Sequence, residues 1–105
     1  MVLSISSIGK MSTKELKDLK NVGKATLADL SLLGIGSVKE LALKDGTKLF
    51  HRMEKMTGKR QDPCVWDVFA AIIHEAKTGK ITVLWEWTAK RKDLQKSGKF
   101  KHVVE

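Results

Sequence analysis

Residues 16–35 read LKDLKNVGKATLADLSLLGI, and the way this stretch divides into two helical pieces decides how the rest of the chain is read. Leu16 and Leu19 stand three apart, the spacing of one helix face. Asn21-Val22-Gly23 interrupts that pattern. Glycine enters positive φ freely and asparagine tolerates it, so the trio predicts a sharp reversal through that conformation. From Lys24 onward, Ala25, Leu27, Ala28, Leu30 and Leu33 carry a second helix, small residues first and large ones later. Gly34 predicts its stop, with Ile35 folding back over the last turn.

These residues resemble the helix-hairpin-helix motif, in which a hydrophobic residue lies between hairpin glycines and a small residue opens the second helix. Val22, Gly23 and Ala25 match, and Asn21 replaces the first glycine. The resemblance implies that backbone N–H groups after the hairpin hold one DNA phosphate. The physics agrees: a helix N-terminus offers free donors and partial positive charge, and a missing Cβ lets a phosphate come close. The implied site is Lys20, Asn21, Val22, Gly23, Lys24, Ala25 and Thr26. The other reading is a plain helical hairpin in which Gly23 serves only the turn.

The 105 residues fit one small domain with a modest core. Hydrophobic residues make up 42% and charged ones 30%, a globular rather than a disordered balance. The formal charge is +8, which favours polyanions: nucleic acid first, an anionic membrane surface second. One cysteine excludes an internal disulfide and any multi-cysteine zinc site. No secretory signal and no apolar run near the ~20 residues of a membrane span is visible, so a cytoplasmic protein is expected.

Turn and cap signals divide the remainder. Ser12 with Glu15, and Ser37 with Glu40, are capping-box patterns. The second opens a short helix with Val38, Leu41 and Ala42 inward. Gly34-Ile35-Gly36 is either a helix stop before that start or a second phosphate hairpin. After Asp45-Gly46-Thr47, the spacing of Leu49, Phe50, Met53 and Met56 predicts a helix with both methionines in the core, closed at Gly58. Lys59-Arg60-Gln61 is a basic loop. Asp62-Pro63 is a helix start, and residues 64–77 are apolar on most sides, so this helix should be central. Residues 81–88 alternate like a strand but have no partner strand. They predict an extended or irregular segment laying Trp85 and Trp87 on the bundle. Residues 89–105 hold six Lys or Arg against two acids and read as a solvated basic end.

Over most of its length the chain resembles one family, the pathogenicity-locus family of small bacterial helix-hairpin-helix proteins. The shared landmarks are Asn21-Val22-Gly23-Lys24-Ala25-Thr26, Leu33-Gly34-Ile35 with Ser37-Val38-Lys39-Glu40-Leu41, and Asp62-Pro63-Cys64-Val65 with Asp67-Val68-Phe69. Trp85-Glu86-Trp87-Thr88 with Arg91-Lys92 is the fourth. The resemblance implies a fold and DNA binding, not an activity.

Catalytic chemistry finds little support. A thiol at the start of a helix, as Cys64 would be, can be activated by the dipole, but a nucleophile needs a base. His74 lies ten residues on, about 15 Å along the axis. The plainer reading of Cys64 is a half-buried core residue. Asp62 and Asp67 have structural roles, and the three histidines lack metal-ligand spacing. Trp85 and Trp87 are either core or a platform for exposed bases.

The expected protein is thus an all-α bundle of about five helices containing a helix-hairpin-helix. Residues 1–11 form an N-terminal segment, 12–88 the helical domain and 89–105 the basic tail. The expected function is non-enzymatic, sequence-tolerant DNA binding through backbone phosphate, with no cofactor, no metal and no membrane. The alternative is a protein–protein interaction module using the hairpin.

Overall fold

The computed structural model describes residues 15–104, and the Ser12 end of the first expected capping box lies outside them. A single 3-10 turn, Leu16–Asp18, comes first, its start tied by the Glu15 N–H donating to Asp18 Oδ2 at 2.9 Å. Five α-helices follow: α1 Lys24–Leu32, α2 Val38–Ala42, α3 Gly46–Thr57, α4 Cys64–Thr78 and α5 Leu84–Lys96. Among the described residues there is no strand. The chain is all-α, as its periodicity predicts.

The stop signals at Gly34 and Gly58 act as read, and Gly79 adds a third. Gly34, Gly58 and Gly79 take positive φ where α1, α3 and α4 end. The Ile35 N–H returns to the Leu30 carbonyl at 2.9 Å, and Ile35 is buried over that turn. The hairpin reversal differs from expectation. Gly23 has φ −107° and ψ −170°, ordinary extended backbone, and no non-glycine described residue has positive φ. The chain turns instead at Leu19, which is extended, and closes with the Val22 N–H on the Leu19 carbonyl at 3.2 Å. A reversal that begins from a 3-10 turn needs no left-handed residue.

Helix α4 is the centre. It packs against α2, α3 and α5, and buries Trp66, Phe69, Ile72 and Ile73. Leu30, Leu41, Leu49, Phe50 and Met53 complete the core from α1, α2 and α3. Met56 is 46% exposed, against expectation, although Glu54 in the same last turn of α3 is fully buried.

The largest correction concerns residues 84–104. Residues 84–88 are the first turn of α5, not an irregular segment. On a helix, residues two apart point about 200° apart, so Trp85 and Trp87 cannot both face inward. Trp87 packs against the core and its indole N–H donates to Thr82 Oγ1 at 2.7 Å, whereas Trp85 is 70% exposed. Trp87, Arg91 and Leu94 follow at i, i+4 and i+7 and form the inner face.

The basic end is not a solvated tail. A division after residue 88 falls inside α5. Arg91 is buried, and Leu94 and Phe100 pack on the core. His102 and the Val103 N–H bind the fully buried Glu54 carboxylate, which also accepts the Gln61 N–H. The His51 Nε2 and Arg60 Nε hold the carbonyls of Lys101 and Val104. Burial raises the Glu54 carboxyl, but the bonds from His102, Val103 and Gln61 together outweigh it and hold its pKa below the ordinary glutamate value.

Candidate nucleic-acid interface

Every helix start leaves N–H groups without a helical partner, and this chain satisfies most of them itself. At α2, Ser37 Oγ accepts the Glu40 N–H at 3.1 Å, and Glu40 Oε1 accepts the Gly36 N–H at 3.2 Å. At α3, Asp45 Oδ1 accepts the Lys48 N–H at 3.0 Å. At α4, Asp62 Oδ1 accepts the Cys64 N–H at 2.9 Å. At α5 no side chain caps, but Glu86 places a carboxylate in the first turn.

Helix α1 alone among the described helices has neither device. Its N-cap is Gly23, with no side-chain cap and no acid in the first turn. Its first bond runs from the Leu27 N–H to the Gly23 carbonyl, so the N–H groups of Lys24, Ala25 and Thr26 lie ahead of the ladder. Gly23, Lys24, Ala25 and Lys20 are exposed. A Cβ at Gly23 would meet no atom within 4 Å, so the approach is open. Half-buried Val22 packs against the core and anchors the hairpin, with Asn21 and Thr26 half-buried beside it. The Lys20 N–H donates to Glu75 Oε1 at 2.9 Å, which fixes the hairpin to the end of α4. The sole acid of α1, Asp29, stands in the second turn, and burial pushes its carboxyl up.

The other glycine hairpin is different. Ser37 and Glu40 already consume the donors at Gly36 and Glu40, so Gly34-Ile35-Gly36 is a helix stop followed by a helix start.

A match to the model of the pathogenicity-locus family covers residues 9–93. The chain belongs to that family. It is also similar to the mitomycin resistance protein McrB of Streptomyces lavendulae, with 30% identity over 80 residues, 76% of each chain. No solved structure matches it. The matched span holds both the open start of α1 and the start of α4, so each belongs to the family domain rather than to a flank.

In this pathogenicity-locus chain the start of α4 is closed from within. Asp67 is buried and takes a two-bond grip from Arg91, Nε to Oδ1 at 2.9 Å and Nη2 to Oδ2 at 3.0 Å. Thr88 donates to Asp67 Oδ2 at 2.7 Å, and Gln95 Oε1 accepts from Arg91 Nη1 at 3.2 Å. Cys64 is exposed rather than a half-buried core residue. Its hydrogen bond to Asp62, its desolvation and the Asp62 charge push the thiol pKa up, overriding Arg91 Nη2 at 3.9 Å from Sγ. The Cys64 N–H in turn holds the Asp62 carboxylate below its ordinary range. His74 faces Trp87, ring centroids 5.5 Å apart, and is no base for the thiol.

The sequence reading missed Arg91, because its inward position depends on recognising α5 as a helix. The signal was the i, i+4, i+7 spacing of Trp87, Arg91 and Leu94. Two grooves lie on the surface. One of about 250 Å³ lies among α3, α4 and α5, lined by Lys44, Trp66, Ile73, His74, Lys77 and Trp87 among others, and includes none of residues 20–26. The other, about 330 Å³ and mostly apolar, lies between Leu16, Leu27 and Val38. Among the described residues no group of three His, Cys, Asp or Glu side chains is placed to hold a metal, and no helix is long and apolar enough to cross a membrane.

Proposed function

We propose that the chain is a non-enzymatic, sequence-tolerant DNA-binding module of the cytoplasm, built on a helix-hairpin-helix spanning residues 16–32. The N–H groups of Lys24, Ala25 and Thr26 hold one backbone phosphate, with the Lys20 and Lys24 ammonium groups beside it. The observation that carries this reading is the contrast among helix starts: three are capped by a side chain, one has an acid, and α1 is left open between two lysines. A helix N-terminus with free donors and no acid in its own first turn favours an anion. Recognition by main-chain groups carries no base information, which accounts for sequence tolerance. The +8 charge supplies the long-range attraction.

The test is a salt-dependent titration of duplex and single-stranded DNA with the parent and with Lys24→Glu. The parent binds at low salt and weakens as salt rises; Lys24→Glu, folded by circular dichroism, loses affinity at least tenfold. Equal binding by both removes α1 as the site. A second reading, docking of a protein partner on the hairpin, is favoured by the apolar groove between Leu16, Leu27 and Val38. It requires salt-insensitive capture that Leu27→Glu abolishes and Lys24→Glu does not.

A further inference from the structure

The most exposed tryptophan in the chain has no structural work to do. Trp85 is 70% exposed, and Ile81, Val83 and Leu84 around it are exposed as well. Two residues on, Trp87 is packed against the core and bonded through its indole N–H, so α5 buries an indole where the fold has use for one. A large indole left in water forgoes the stabilisation burial would give, and such patches mark contact surfaces.

What surrounds Trp85 identifies the contact. At about 100° per residue, Lys92 and Lys96 lie within about 20° of the Trp85 line, some 10 and 16 Å further along the axis. All three are exposed, and Ala89 between them adds only a methyl group. The acids of α5, Glu86 and Asp93, stand roughly 80–100° round the helix from that line. The outer face of α5 therefore presents one aromatic plate followed by two ammonium groups in a row.

Three occupants would suit an exposed tryptophan near lysines. A helix lying in a lipid surface carries an apolar stripe along its whole length, whereas here the apolar residues end at Trp85 after one turn. A second copy of the chain would bring two +8 bodies together over four apolar residues. An unpaired nucleic-acid strand needs what is present: a plate on which a base stacks and cations in line for its phosphates.

We infer that the outer face of α5 binds single-stranded nucleic acid, Trp85 stacking on an unpaired base while Lys92 and Lys96 engage phosphates of the same strand. This rests on the nucleic-acid reading above and adds a second contact, distinct from the open start of α1. The domain then holds a duplex phosphate at one place and an unpaired base at another, which fits DNA where duplex meets single strand.

The experiment titrates the full chain with oligothymidylate and with a duplex of equal length, read by anisotropy and tryptophan emission. Oligothymidylate quenches the emission of the parent. Trp85→Ala weakens oligothymidylate binding about tenfold, the loss expected from one stacked base, and leaves duplex binding unchanged. Trp85→Phe retains most of the affinity. The Lys92→Ala/Lys96→Ala double variant lowers the single-strand salt slope by about 1.4. Because these side chains are exposed, the variants keep the parent's circular dichroism. If Trp85→Ala binds oligothymidylate like the parent while Lys24→Glu loses duplex binding, the α5 inference is wrong and the α1 reading stands. If the parent binds neither DNA, both are wrong. Trp85-dependent binding to phosphatidylserine vesicles, or Trp85-dependent dimerisation, without a change in oligothymidylate affinity overturns it in favour of that occupant.

Discussion

The starts of α1 and α4 carry the same unpaired donors and the same partial positive charge, and the chain treats them in opposite ways. At α4, Asp62 takes the Cys64 N–H, and Asp67, one turn in, is locked by Arg91 and Thr88 from α5. The dipole there is spent inside the protein, and the exposed thiol beside it is held protonated. At α1, glycine replaces the capping side chain, and exposed Lys20 and Lys24 replace the acid. The difference teaches that a helix N-terminus is left open to an anion only where the local sequence declines to fill it.

The largest expected effect tests the closed end. Arg91→Ala leaves Asp67 buried without its partner, and such losses cost about 3–5 kcal/mol. Urea unfolding should show that drop. A loss below about 1 kcal/mol would class the pair with surface ion pairs.

Next is an attempt to turn α1 into α4. Gly23→Asp gives α1 a capping carboxylate at its N-cap. Its backbone at φ −107° is open to any residue, and no atom crowds a Cβ. The variant should gain a few tenths to about 1 kcal/mol of stability while losing DNA affinity roughly tenfold at low salt. Thermal melts beside a binding titration read both; stability gained with affinity intact would separate the cap from the ligand site.

A smaller effect appears in acid. Glu54 titrates lower in the folded than in the unfolded chain. Its contribution is therefore full above the ordinary glutamate pKa of about 4.3, and is lost as pH falls through the folded value. Glu54→Gln should show a shallower loss of stability below pH ~4.5 than the parent, measured by urea midpoints from pH 7 to 3.

The smallest effect is chemical. Cys64 should alkylate more slowly at neutral pH than a free model thiol despite its exposure, with the rate rising only above the usual thiol range. Asp62→Asn, which weakens the hydrogen bond that most raises that pKa and removes the Asp62 charge, should move the pH midpoint down. An unmoved midpoint would assign the shift to desolvation instead.

Much of this was legible residue by residue. Ser37 with Glu40, Asp45, Asp62-Pro63 and the glycines at 34, 58 and 79 mark helix ends through bonds to neighbours a few positions away. Near-uniform apolarity marked α4 as central. The hairpin resemblance pointed to the start of α1, and comparison of the helix starts added that it lacks both a cap and a first-turn acid.

Residues 84–104 were misread because short-range pattern was ambiguous there. Alternation of Ile81, Val83, Trp85 and Trp87 fits a strand, and only packing against α4 makes 84–96 a helix with one tryptophan in and one out.

By itself the sequence determined the ends of α1 to α4, the all-α class and the charge, because each depends on local bonds or on composition; the first hairpin helix it implied is only the 3-10 turn Leu16–Asp18. Only the tertiary structure decided that Arg91 neutralises Asp67, that Glu54 clasps His102 and Val103 from about 50 positions away, and that Trp85 is left to solvent. Those outcomes depend on which faces α3, α4 and α5 turn to one another, and no window of neighbouring residues contains that information.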